Sequence, residues 1–132
     1  AYYSPGMGAV FLALYAQVRK SSDALQAARR LLQFNLLGHE AQFNDVESVQ
    51  ACKFAWAVGA MHQADPAGGW LPWVPRMVSW FLDRQSTQGW WGPSRFADPN
   101  PSIADRLVKT SEHVMELTAL VAALGAARAA KP

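Results

Sequence analysis

Apolar residues recur along most of this chain at intervals of three and four, the spacing of a helix with one buried face. Met7, Val10, Phe11, Leu14 and Val18 form the first such stripe, after Ser4-Pro5, a cap-plus-proline start. Lys20, Ser21 and Ser22 interrupt it, and Ser21 or Ser22 can cap a second helix. Its stripe is Leu25, Ala28, Leu32 and Leu36, with Gly38 placed to end it. Asn44 and Glu47 have capping-box spacing, so the pattern predicts a third helix from about Asp45 to Gln63. That helix is apolar on two faces, Val46, Val49, Cys52, Trp56 and Ala60 on one, Phe54, Val58 and Met61 on the other. Such a helix belongs between neighbours.

Asp65 to Gly69 reads as a loop. A fourth helix is expected from Leu71 or Pro75 to Gln88, and an irregular stretch from Gly89 to Pro101. Ser102 and Asp105 have the spacing of another N-terminal cap. Ile103, Leu107, Thr110, Val114, Leu117, Val121 and Leu124 then make the longest seam, before an Ala-rich tail expected to fray over 122–132. No run alternates as a strand would. The fold class expected is all-α: about five helices in antiparallel pairs, in a single domain spanning 1–132.

Composition narrows the function classes. The 132 residues are 51% hydrophobic and 17% charged, with six Trp, and this excludes a disordered chain. Cys52 is the only cysteine, which excludes a disulfide scaffold. A formal charge of +2 without a basic stripe argues against nucleic acid as a partner. The apolar runs 9–16 and 117–127 fall short of the ~20 residues of a membrane span. The start at Ala1 implies a removed first residue or a piece of a longer polypeptide, and a reduced cytoplasm is the default compartment.

An offset of 47 residues lays Arg29 on Arg76, Leu31 on Val78, Phe34 on Phe81 and Phe43 on Trp90, a weak internal repeat. The stretch from Arg76 to Trp91 is more specific. Arg76, Trp80, Gln85, Gly89 and Trp91 fall in register with the QW motif of triterpene cyclases, which this segment resembles. Met77 and Phe81 depart from it, and Gln63, Gly68 and Trp70 echo its second half. The resemblance implies an α/α-toroid of the terpene cyclase and prenyltransferase kind. There the Gln amide bonds free N–H groups of a neighbouring helix start, the Trp covers it, and the Gly allows the turn. Five to seven helix pairs close such a ring, and this chain supplies two and a half. The resemblance therefore implies a fragment, a subunit or an open arc with apolar ends, completed by further copies of the chain or by a second polypeptide.

Catalytic signatures are sparse. The D-x-D-D and D-D-x-x-D motifs of cyclases are absent, as are phosphate loops and hydrolase elbows. Asp45, Cys52 and His62 lack the D-x-C spacing of the prenyltransferase zinc site. His39, His62 and His113 lack zincin spacing, so neither metal nor cofactor is expected. His113 and Glu116 are the candidate acid/base pair, in a polar stripe with Arg106 and Lys109. The same stripe also fits a solvated helix face. Trp70, Trp73, Trp80, Trp90 and Trp91 are candidate walls of an apolar ligand site, or a packed loop core. Three functions follow. The first is an interaction module docking on a partner through apolar aromatic surfaces. The second is a cyclase- or prenyltransferase-like enzyme for an apolar isoprenoid. The third is a binding module for an apolar small molecule or lipid.

Overall fold

A computed structural model describes residues 4–44, 50–92 and 100–129. Among these described residues six α-helices follow one another: α1 (Ser4–Arg19), α2 (Ser22–Leu37), α3 (His39–Asn44), α4 (Gln50–Ala64), α5 (Val74–Arg84) and α6 (Ile103–Ala129). One 3-10 turn, Leu71–Trp73, leads into α5. The all-α class is as the pattern predicts. No helix among the described residues is long and apolar enough to cross a membrane.

The caps explain several boundaries. Ser21 is the N-cap of α2, and its hydroxyl accepts from the Ala24 N–H at 3.2 Å. At the head of α6, Ser102 and Asp105 cap each other: Asp105 accepts the Ser102 N–H at 2.9 Å, and Ser102 Oγ accepts the Asp105 N–H at 3.2 Å. Those hydrogen bonds hold the Asp105 carboxyl below its ordinary pKa. Other boundaries differ from expectation. Beyond Gly38 the short α3, for which no helix was expected, opens at His39 and ends at Asn44. The helix expected from Asp45 is described only from Gln50, and Val46, Glu47 and Val49 lie outside the described residues. The fourth helix stops at Arg84 rather than Gln88, because Gln85 turns extended at φ −74° and ψ 130°.

α4 is the centre. Ala51, Cys52, Phe54, Ala55, Ala57, Val58, Ala60 and Met61 are all buried, as its two apolar faces require. α1 and α6 lie on either side of it. Gly6 of α1 rests on the Lys53 backbone, and Gln17 and Gln63 share a cleft at the opposite ends of the same two helices. Lys53 meets Glu112 and Glu116, and Gly59 meets Leu120 further on. Contacts that advance together in both helices mean that α1, α4 and α6 run parallel, in one layer. α2 folds back on α1 after a two-residue turn, and α5 packs over α4, so both belong to a second layer.

The approach of α4 to α6 is backbone-close: a Cβ on Gly59 would sit 3.2 Å from the Leu120 Cα. Small residues do the same for α1, whose buried face is Ala9, Val10, Ala13 and Ala16. This corrects the stripe expected to form its core. Phe11 is 66% exposed and Val18 79%, and Met7 and Leu14 are exposed as well. α6 is turned the same way. Val121 is 65% exposed and Leu107 62%, and Ile103 and Val114 also face outward, while His113, Glu116, Leu120 and Ala123 are buried. α1 closes on α4 mainly with small residues, α6 sets His113 and Glu116 beside Leu120 and Ala123, and both leave several large aliphatic residues exposed. Burial also ignores the 47-residue offset: Phe34 is exposed where Phe81 is buried.

Candidate functional site

Between α4 and α6 lies a buried ionic network. α4 brings Cys52 and Lys53 to the seam. α6 brings Lys109, Glu112, His113 and Glu116, which recur at three and four residues and so share one face. Lys53 Nζ bonds Glu116 Oε1 at 2.6 Å and also pairs with Glu112. Lys109 Nζ bonds the other oxygen of Glu112 at 2.6 Å. Two ammonium groups thus face two carboxylates, and the set is charge-balanced. Glu116 is fully buried. A buried ion pair is stable only when its remaining hydrogen-bonding capacity is satisfied. His113 Nδ1 does this, 3.2 Å from Glu116 Oε2. The contact is a hydrogen bond to the carboxylate in the tautomer that carries its proton on Nδ1.

The titrations follow from these contacts. Burial pulls Lys53 down, but hydrogen bonds to Glu112 and Glu116 outweigh it and raise the ammonium above its ordinary value. Burial pushes Glu112 up, and Lys109 and Lys53 outweigh that and hold it below the usual carboxylate range. Burial, reinforced by the Glu116 charge, pushes the Cys52 thiol far up.

Three aromatic rings close around His113, all edge to face: Phe81 at 5.2 Å, Trp91 at 5.7 Å and Trp80 at 5.8 Å between centroids. α5 supplies Trp80 and Phe81 from its buried face, and the Gln85–Trp91 segment supplies the third. That segment is a tight return. Gly89 takes φ +87°, a conformation open to glycine, and Gln85 pairs with Trp91 as an isolated antiparallel bridge. The Trp91 indole N–H donates to the Phe81 carbonyl at 2.8 Å, closing the end of α5, and its backbone N–H donates to Thr110 Oγ1 at 3.1 Å. The return therefore ties α5 to α6. Gln85 plays a different part from the one the motif implies. Its exposed amide donates to the Gly89 carbonyl at 3.0 Å, within the loop, and Trp91 covers Phe81 and His113 instead. Arg76 grips Glu40 with two bonds of 2.8 Å and stacks on Phe43, which ties α5 to α3.

The five candidate Trp walls do not form one wall. Trp80 and Trp91 meet at His113. Trp90 lies under Arg106 at 4.7 Å. Trp73 packs on Phe54, and Trp70 is buried in the 65–70 loop beside Asp65. His62 is buried near the far end of α4, and neither ring nitrogen has a hydrogen-bond partner among the described residues. A cleft of about 450 Å³, lined by Ala16, Gln17, Lys20, Ser21, Leu25 and Gln63 among others, lies at the end of α1 away from this network.

His113, Glu116 and Lys109 were named from the sequence, Cys52 was set aside there for lack of D-x-C spacing, and Lys53 and Glu112 were not singled out. Lys53 carried a signal: it is a lone cation inside a helix apolar on two faces, where a charge needs a buried partner. Cys52, His113 and Glu116 offer one donor atom each within 4.8 Å of one another. No family model, curated protein or solved structure matches the chain.

Proposed function

We propose that the chain is a toroid-like helical module that docks on a partner through the apolar outer faces of α1 and α6. One observation carries the reading: α1 and α6 end the parallel layer, and both expose their large aliphatic stripes there. Contiguous apolar surface of this kind on a stable fold is characteristic of an interface. The parallel layer of α1, α4 and α6, with α2 folded back on α1, supports a toroid-like arc. The partner is further helix pairs that continue the layer, from a second copy of the chain or a second polypeptide. The test is light scattering after size exclusion, on the wild type and on a variant with Phe11→Lys and Val121→Lys. The reading expects an assembly larger than one chain for the wild type and a folded monomer for the variant. A monomeric wild type with no dye-binding apolar surface rejects it.

The contact between His113 and Glu116 supports a second reading, an enzyme of cyclase or transferase type using the pair as acid and base on an apolar isoprenoid. The burial of both residues weighs against it for the chain alone, since neither is open to a substrate. His113→Ala would abolish turnover without unfolding; retained turnover would reject the assignment.

A further inference from the structure

We infer that Cys52, His113 and Glu116 form a binding site for a tetrahedral transition-metal ion, zinc in kind, that bridges α4 and α6. Three donor types, a sulfur, an imidazole nitrogen and a carboxylate oxygen, converge within 4.8 Å, and all three residues are buried. Zinc takes this mixture of ligands, with metal–ligand bonds of about 2.0–2.3 Å. At those bond lengths the donors of a tetrahedral ion lie about 3.3–3.8 Å apart. Donors at the 4.8 Å limit thus need to close by about 1.0–1.5 Å.

The surroundings suit the ion. His113 and Glu116 sit three residues apart on one helix, and Nδ1 already lies 3.2 Å from Oε2. Phe81, Trp80 and Trp91 fix the imidazole from three sides. Lys53 holds the other oxygen of Glu116, and such an outer bond orients a ligating carboxylate. The ion displaces the Cys52 thiol proton to solvent, and ligation through Nδ1 moves the imidazole proton to Nε2. Because Lys53 and Lys109 already match Glu112 and Glu116, the bound site carries one net positive charge. Three protein ligands leave the fourth position to water.

The single cysteine makes the test clean. Cobalt(II) is added to the native protein and, separately, during refolding from urea, to admit the ion to a buried site. The expected result is one cobalt per chain with a thiolate-to-cobalt charge-transfer band and the visible bands of tetrahedral cobalt. Zinc should displace it and raise the melting temperature. Cys52→Ser should remove the charge-transfer band with the helical circular dichroism intact, and His113→Ala should remove or shift the visible bands. No cobalt uptake by either route overturns the inference. So does cobalt bound without a thiolate band, or spectra that His113→Ala leaves unchanged. If His113→Ala fails to fold, Cys52→Ser decides alone.

Discussion

α5 and α6 meet at His113 and are built in opposite senses. α5 follows the rule that the apolar pattern implies: Met77, Trp80 and Phe81 are buried, and Ser79 and Asp83 are exposed. α6 reverses it, with charge inside at Glu116 and aliphatic residues outside at Leu107, Val114 and Val121. α5 turns its aromatic face to α4 and α6, although Leu82 at its end is exposed. Among the described residues α6 meets α4 along one face, where Lys53 lies, and the Gln85–Trp91 return at Thr110 and His113. A helix that buries Glu116 against its own chain and leaves Leu107, Val114 and Val121 exposed is arranged for a second contact. The same holds for α1, whose small residues face α4 and whose Phe11 faces out.

The comparison can be broken at its polar side first. Lys53→Met leaves Glu116 buried with only His113, and loss of one member of a buried pair costs about 3–5 kcal/mol. Urea unfolding would show this as a lower midpoint. Lys53→Met combined with Glu116→Leu removes both charges and should recover most of that loss, which a double-mutant cycle would measure. If the double variant is as weak as the single, the network does more than neutralise itself.

On the α5 side, Trp91→Ala should cost about 3 kcal/mol, as large-to-small changes in a core do. It also frees the Phe81 carbonyl that the indole caps. Trp90→Ala, at a half-buried ring, should cost well under half of that in the same unfolding series. Gly59→Val tests how closely α4 and α6 approach. Its side chain meets the Leu120 backbone, and overpacking of this kind costs about 1–3 kcal/mol.

Acid should weaken the α4–α6 seam in a defined window. The folded pKa of Glu112 is below its unfolded value, so its contribution is present above the unfolded pKa of about 4.3 and is lost as pH falls through the folded pKa. Lys53 behaves oppositely. Its folded pKa is raised, so its contribution is complete below about 10.4 and is lost as pH rises through the folded value. Stability measured against pH should therefore fall at both ends, and Glu112→Gln should flatten the acid limb. The smallest effect belongs to the apolar side. Val121→Lys should change the stability of one chain by no more than about 0.5 kcal/mol, since the side chain touches solvent there. Its effect belongs to assembly.

Helix class and caps were legible in the sequence because they are local. Ser21, Ser102 and Asp105 act within a few residues of themselves, and periodicity finds α2, α4 and α6 without knowledge of their neighbours. Which face of α6 points inward was not legible. The apolar seam outranks the polar stripe by any local rule, and only Lys53, some sixty residues away, reverses the choice. The seam of α1 misled for a related reason, since Gly and Ala allow a close approach that large residues would block. At the site, the pairing of His113 with Glu116 followed from three-residue spacing on a helix. Cys52, on a different helix, was weighed with Asp45 and His62, and nothing local paired it with His113. The Arg76–Trp91 motif showed where the chain turns, while the partner of Gln85 depended on how the turn closed.

The mass of the protein as purified, by native mass spectrometry over a range of concentrations, tests most directly whether α1 and α6 are open edges. The account predicts a mass of more than one chain, from further copies or from a second polypeptide, with dissociation when Phe11 and Val121 are made Lys. A single-chain mass that persists at the highest concentration, with no apolar surface accessible to dye, would contradict it.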